Sequence, residues 1–255
     1  LSPGATSSAL QVGLNTAVAG NYTGLNAGSA TIAFVSDAGN VGNCAPNCQL
    51  ALAPQTISVA GKVYTAAVGQ LGTPVVDFGI VRVGDAVGAR NITVGNAAAA
   101  TALGDTLQAS LSGVVGPFTP GAAATGIAAQ GSGQIAVALN TAAAGVYVQN
   151  GSVGFLSQNA DMADVSAGPD AAVQVKAQVN RLADADFDLL AGLGSLSDDG
   201  QGHYTLDLGL FDLGDSGLWT LQIDNDVAGP ADLLRGLFDL AGVDDFSLGG
   251  WSAVG

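Results

Sequence analysis

The sequence contains no glutamate. All 21 acidic residues are aspartates, and they face only 6 lysines and arginines, one histidine and one methionine. Glu and Lys populate exposed helix faces, whereas Asp prefers turns and caps, so this balance excludes a mainly helical chain. The scarcity of Lys and Arg, with a net charge of -15, removes nucleic acid and anionic membrane surfaces as expected partners. Nucleophilic catalysis needs a base beside the nucleophile, and the lone His203, in a G-Q-G-H-Y turn, supports no Ser-His-Asp set. It reads as an exposed residue at a strand start. Paired aspartates serve glycosidases, but those sites bring aromatic platforms and Glu, and aromatics here are 5%. No enzyme is expected. No apolar run of about 18 residues is present to span a membrane, and no charged segment opens the chain as in a signal peptide.

What is present is a folded-protein share of apolar residues, 48%, mostly Ala, Val and Leu, with 38 glycines for turns. A length of 255 residues suits about two domains. Charge is uneven. Residues 1–180 carry 7 Asp against 4 basic residues, whereas residues 181–255 carry 14 Asp against Arg181 and Arg235, a net of -12.

The two cysteines, Cys44 and Cys48, lie in N-C-A-P-N-C. This spacing admits a disulfide loop, a metal site or a redox pair. Further metal ligands are lacking nearby, and a redox pair normally has two intervening residues and a helix behind it. Asn, Pro and Gly around the pair favour a disulfide clip on a surface loop, which implies an oxidising compartment.

One stretch occurs twice, 125 residues apart. Leu10 to Tyr22 reads L-Q-V-G-L-N-T-A-V-A-G-N-Y, and Ile135 to Tyr147 reads I-A-V-A-L-N-T-A-A-A-G-V-Y. Each is an alternating strand (Leu10, Val12, Leu14; Ile135, Val137, Leu139), then a turn through Gly20 or Gly145 into a tyrosine. Alternating strands follow in both, at 30–35 and 56–64 in the first copy and at 151–156 and 172–179 in the second. A second repeat lies between. Asp77-Phe78-Gly79 falls on Asp207-Leu208-Gly209 and Val83-Gly84-Asp85 on Leu213-Gly214-Asp215, both at an offset of 130. Strands leading to Asn96 and Asn225 follow, then Asp105 and Asp232 opening apolar alternation.

Joined, the two repeats define a module with a front half (D-F-G, V-G-D) and a back half (L-N-T-A-x-A-G-x-Y). Residues 69–180 are one complete module of 112 residues, residues 1–68 a back half, and residues 181–255 an acidic front half. The chain reads as cut from a longer array, or as having open halves completed by something else. Short strands with turn signals every 8–12 residues predict tandem immunoglobulin-like β-sandwich modules, all-β, one complete and two partial. Tyr22 and Tyr147 stand where a tyrosine corner would bond upstream backbone, although an ordinary strand tyrosine fits equally.

The motifs Val76 to Gly84, Val94 to Asn96 and Val137 to Ser157 resemble the immunoglobulin-like domains of the ASPM/Hydin-related group, also common in bacterial surface proteins with varied anchoring signals. The resemblance extends over nearly the whole chain, and the 181–255 half departs furthest, with Leu208 in place of the Phe. It implies a fold, with Phe78, Gly79 and Gly84 as structural positions, and no catalytic residues.

Calcium is the one cofactor left open. Hard cations take clustered loop carboxylates, and the candidates are Asp224 and Asp226, Asp244 and Asp245, Asp198 with Asp199, and Asp161 with Asp164. None has EF-hand or β-roll spacing, and the competing reading is solvated turn carboxylates. Lys62 and Lys176 are read as surface residues.

The expectation is an extracellular, cell-surface structural protein, a segment of an array or filament, with self-association or neighbouring modules as partners. The back half of one copy would complete the front half of the next, head to tail. The alternative is a calcium-dependent or carbohydrate-binding adhesin.

Overall fold

The computed structural model describes residues 1–39 and 48–236. The chain is an all-β immunoglobulin-like sandwich protein. In residues 1–68, β1 (Gly20–Tyr22), β2 (Gly28–Ile32) and β3 (Val35–Asp37) run up one side of a ribbon, and β4 (Gln49–Ala51), β5 (Gln55–Val59) and β6 (Gly61–Val63) return down the other. Between Tyr22 and Gly28 the outgoing side spends six residues while the return side advances from Gly61 to Val59. A 3-10 turn at Gly24–Asn26 absorbs the excess.

Residues 69–180 hold the two large sheets. Their strands are β7 (Gly69–Leu71), β8 (Val75–Arg82), β9 (Arg90–Asn96), β10 (Thr106–Ser112), β11 (Phe118–Pro120), β12 (Ala124–Ile127), β13 (Ser132–Leu139), β14 (Gly145–Gln158), β15 (Val165–Ser166) and β16 (Ala171–Asn180). One sheet has the order β11-β13-β9-β7. The other has the order β12-β10-β14-β16-β8, with β15 on β14. Period-two alternation turns one side of each strand inward. Ile92, Val94 and Asn96 of β9 are buried, as are Ile135, Val137 and Leu139 of β13 and Val173, Val175, Ala177 and Val179 of β16. Phe78 stacks on Phe118 at 5.9 Å, and Tyr147 meets Phe118 edge-on at 6.5 Å.

The D-F-G motif is a bulge. β8 runs parallel to β16 with Asp77 opposite Lys176 and Ile80 opposite Gln178, so Phe78 and Gly79 together face one residue. Gly79 takes φ +74°, which a side chain would strain. Its amide donates to Asp77 Oδ1 at 2.8 Å, and Phe78 turns into the core. Each letter thus has a separate role: cap, core and bulge. At the following V-G-D, Gly84 lies in a turn where the Asp85 amide donates to Arg82 O at 3.1 Å and the Arg82 amide to Asp85 Oδ2 at 2.9 Å.

Beyond Asn180, β17 (Ala185–Ala191) pairs with β20 (Thr220–Asn225), and β18 (Ser195–Asp198) pairs with β19 (Tyr204–Asp207). The second copies of the motifs repeat the local bonds. The Gly209 amide reaches Asp207 Oδ1 at 2.9 Å, and Asp212 N–H reaches Asp215 Oδ2 at 3.1 Å.

Two expected strands are not formed. Leu10–Leu14 carries no strand, although its counterpart β13 is fully paired. β13 is held by β9 and β11, whereas among the described residues no strand pairs with Leu10–Leu14. Likewise Asp232–Gly236 forms no strand, whereas its counterpart β10 pairs with β14 and β12. Periodicity predicts a strand only where a partner exists to pair with it.

Asn96 is the polar hub of this core. Its Oδ1 accepts from the Val68 and Ala98 amides at 3.0 and 3.2 Å, and its Nδ2 donates to the carbonyls of Asp105 and Ile127 at 3.4 and 3.1 Å. Asn96→Ala strands several of these buried groups and is expected to cost about 3 kcal/mol or more in denaturant unfolding. The same change at the exposed Asn225 is expected to cost less than about 1 kcal/mol.

Candidate functional site

Residues where one module passes into the next recur with constant geometry. At the first joint the Thr65 amide donates to Leu103 O at 2.8 Å, and Thr65 O accepts from the Asp105 amide at 2.9 Å. Asn96 closes it, holding Val68 and Asp105 as described. At the second joint Arg181 N–H donates to Pro230 O and the Asp232 amide to Arg181 O, both at 2.9 Å. Asn225 closes that one, accepting from the Asp184 amide and donating to Asp232 O, both at 3.0 Å. Each of these four bonds of the first joint has its counterpart in the second. The strands that follow start alike, with Gly69 opposite Asn96 and Ala185 opposite Asn225.

Side chains brace each joint. Asp161 accepts from Lys62 Nζ at 2.6 Å and also from the Tyr64 hydroxyl. Asp232 pairs with Arg82 and accepts from Asn180 Nδ2 at 3.1 Å. These contacts are largely exposed, where ion pairs contribute little in water, so the backbone bonds are the constant element and the ion pairs an addition. Lys62, first of all, holds the Asp161 carboxyl below its ordinary value, with Tyr64 second. Arg82 does the same for Asp232, with Asn180 second. Lys62 is raised in return, chiefly by Asp161.

The two tyrosine motifs are equivalent in detail. Tyr22 Oη donates to Val18 O at 3.0 Å and Tyr147 Oη to Ala143 O at 3.0 Å, four residues upstream in each case. Gly145 is required by close approach, since a Cβ there would lie 2.7 Å from the Tyr147 ring. These bonds lock the turn from the β13 position into the β14 position.

The other feature is a pair of open edges. The 1–68 ribbon is two strands wide, a width of marginal stability alone. Leu10, Val12 and Leu14 are 63%, 53% and 43% exposed, whereas their counterparts Ile135, Val137 and Leu139 are 0%, 0% and 8% exposed. In the acidic half, among the described residues, β20 pairs on one edge with β17, while β9 pairs on both, with β7 and β13. Leu210, Leu213 and Leu218 stand exposed.

The remaining sequence candidates are dispersed. Asp224 accepts from Gln222 on β20, the Asp226 amide bonds Asp184 O, and Asp244 and Asp245 lie outside the described residues. Among the described residues no three His, Cys or Asp side chains gather as a cation site. Cys44 also lies outside them, so the expected disulfide does too. Cys48 is half-buried, and its carbonyl accepts from the Ala38 amide at 2.7 Å. His203 is exposed, with Nδ1 3.1 Å from Asp199 Oδ2. Lys176 pairs with Asp77 at 3.1 Å. No helix among the described residues is long and apolar enough to cross a membrane.

Sequence reasoning missed the joint bracing. Lys62 and Asp161 are 99 residues apart, and their contact exists only after the ribbon docks on the module. The recurring Asn96/Asn225 and Asp105/Asp232 were the available signal.

The depressed Asp161 and Asp232 values set a direction with pH. A carboxylate lowered in the folded state contributes fully above its unfolded value of about 3.9, and the contribution is lost as pH falls through the lower folded value. Raised Lys62 contributes below its unfolded value of about 10.4, and its contribution is lost only as pH rises through the higher folded one. The spread of orientations across the joints, measured by small-angle scattering, is therefore expected to be constant between about pH 5 and about pH 10 and to widen only once the pH falls below the ordinary aspartate value of about 3.9.

No protein-family model matches the chain, and no curated protein is similar to it. Among solved structures it is similar to the ASH/PapD-like domain 7 of human CEP192, at 10% identity over 46% of this chain and 87% of that one, TM-score 0.36. It is also similar to WR4, a C. elegans MSP family member, at 8% identity over 44% and 98%, TM-score 0.33. A third likeness is to the E. coli chaperone DraB, at 10% identity over 65% and 88%, TM-score 0.27.

Proposed function

We propose that this chain is a structural, non-enzymatic segment of an extracellular cell-surface array or filament built from immunoglobulin-like modules. The observation that carries the reading is the repetition of the joint. A linker free to flex has no reason to reproduce four hydrogen bonds, donor for donor, at Thr65 and again at Arg181. Modules joined by the same short connection, each bonded to the next, rise by a constant step and form a stiff rod. The resemblance of Val76 to Gly84 and Val137 to Ser157 to modules of ASPM/Hydin-related type supports placing that rod on a bacterial surface. The aspartate-rich composition fits the same role, because a high net charge keeps sheet proteins from collapsing onto one another.

Spin labels at Ser58→Cys and Ser110→Cys, in a chain with Cys44 and Cys48 replaced by serine, report on the first joint. The expected result is a single narrow distance distribution, broadened by Asp161→Ala. A broad distribution in the parent chain would overturn the rod.

A further inference from the structure

The two open edges belong to complementary halves, and the complete module between them shows how such halves fit. In that module β13 lies against β9 with Ile135 opposite Ile92, Ala136 opposite Asn91 and Val137 opposite Arg90. The 125-residue repeat places Leu10, Gln11 and Val12 at the β13 positions. Aligning Asn96 with Asn225 places Leu221, Thr220 and Trp219 at the β9 positions. Leu221 and Ile223 are thus counterparts of Ile92 and Val94, both fully buried in the complete module.

We propose that Leu10–Leu14 of one chain adds as a strand to the open edge of β20 in a second copy, with Leu10 opposite Leu221 and Val12 opposite Trp219. The proposal rests on the modular reading above and names the partner of its open halves. Three observations support a second copy as occupant. Each half carries the strands that, in the complete module, flank those of the other. An exposed Leu-Val-Leu stripe and an unpaired strand edge each cost free energy in water, and one contact removes both. Charge selects the pairing. Residues 1–68 hold Asp37 and Lys62, a net of zero, whereas residues 181–255 carry -12, so two acidic halves repel each other and a neutral one can approach.

The fit extends beyond this strand. In the complete module the buried Asp105 accepts from Ser157 Oγ at 2.7 Å, and Ser157 also accepts from the Ala67 amide at 2.7 Å. Phe34-Val35-Ser36 matches Phe155-Leu156-Ser157, so Ser36 of the incoming copy arrives at Asp232 and the Ala183 amide. One position differs: Ala185 stands where Gly69 lies directly beneath Phe155, so Phe34 seats farther out. The pairing is head to tail, leaves one open half at each end of a dimer and continues into a filament.

The test uses the 255-residue chain with Cys44 and Cys48 replaced by serine. Gln11→Cys in one preparation and Thr220→Cys in another face each other on the outer side of the proposed pair. After mixing and mild oxidation, the cross-linked dimer is expected to form at least about tenfold faster than from Gln11→Cys mixed with Asp224→Cys, four residues out of register and about 13 Å away. Equal rates would overturn the register. Sedimentation of the unmodified chain from about 1 to about 100 µM is expected to show concentration-dependent growth. A monomer throughout would give the edge to another occupant and overturn the proposal. Leu10→Asp with Val12→Asp is expected to abolish growth and leave circular dichroism unchanged, because these side chains touch little in the single chain. Growth that survives it would overturn the proposal as well. The label distance across Thr65 lies within one chain, so it tests the rod independently of whether copies associate.

Discussion

Every strand in a sheet has two hydrogen-bonding edges, and the supply of neighbours for those edges governs this molecule. Between Gly69 and Asn180 the supply is complete. β9 is flanked by β7 and β13, and β14 by β10 and β16, and the faces between them close over Ile92, Ile135, Val137 and Val175. On either side, among the described residues, the same kinds of segment have fewer strand neighbours. The β13 motif becomes an unpaired stretch at Leu10–Leu14, and the counterpart of β8 keeps only Tyr204–Asp207 in a hairpin with β18. Similar alternation therefore gives different outcomes, because pairing helps decide whether an alternating segment is a strand.

Much of the architecture was legible because it is written twice. The 125-residue and 130-residue offsets placed Tyr22 with Tyr147 and Asp77 with Asp207, and the hydrogen bonds of each pair coincide. Repetition exposed these positions because a bulge glycine, a capping aspartate and a corner tyrosine leave fixed letters. The bracing of the joints left none. Lys62 has no basic counterpart at Gln178, and Asp161 looks like any loop aspartate until Tyr64 and Lys62 are brought against it. Arg82 and Asp232, 150 residues apart, are equally silent. Long-range polar contacts between exposed side chains depend on docking and not on period.

Aspartate usage also becomes intelligible in place. Asp77, Asp85, Asp207 and Asp215 bind backbone amides two or three residues away in bulges and turns. The carboxylate of Glu is one methylene further from the backbone and is less suited to such close rings. Asp105 is different, buried and held by Ser157 and Asn159 across the sandwich. One residue type thus supplies turn chemistry, core polarity and joint bracing.

The parallel pairing of β8 with β16 has a mechanical consequence. The chain enters the sheet at Val75, opposite Gln174, and leaves it at Asn180, opposite Arg82, at the far end of the same ladder. Tension applied between Val75 and Asn180 pulls the two strands lengthwise past each other. The bonds from Val75 to Arg82 then resist together in shear, where an antiparallel pair gripped at one end would open like a zip, one bond at a time.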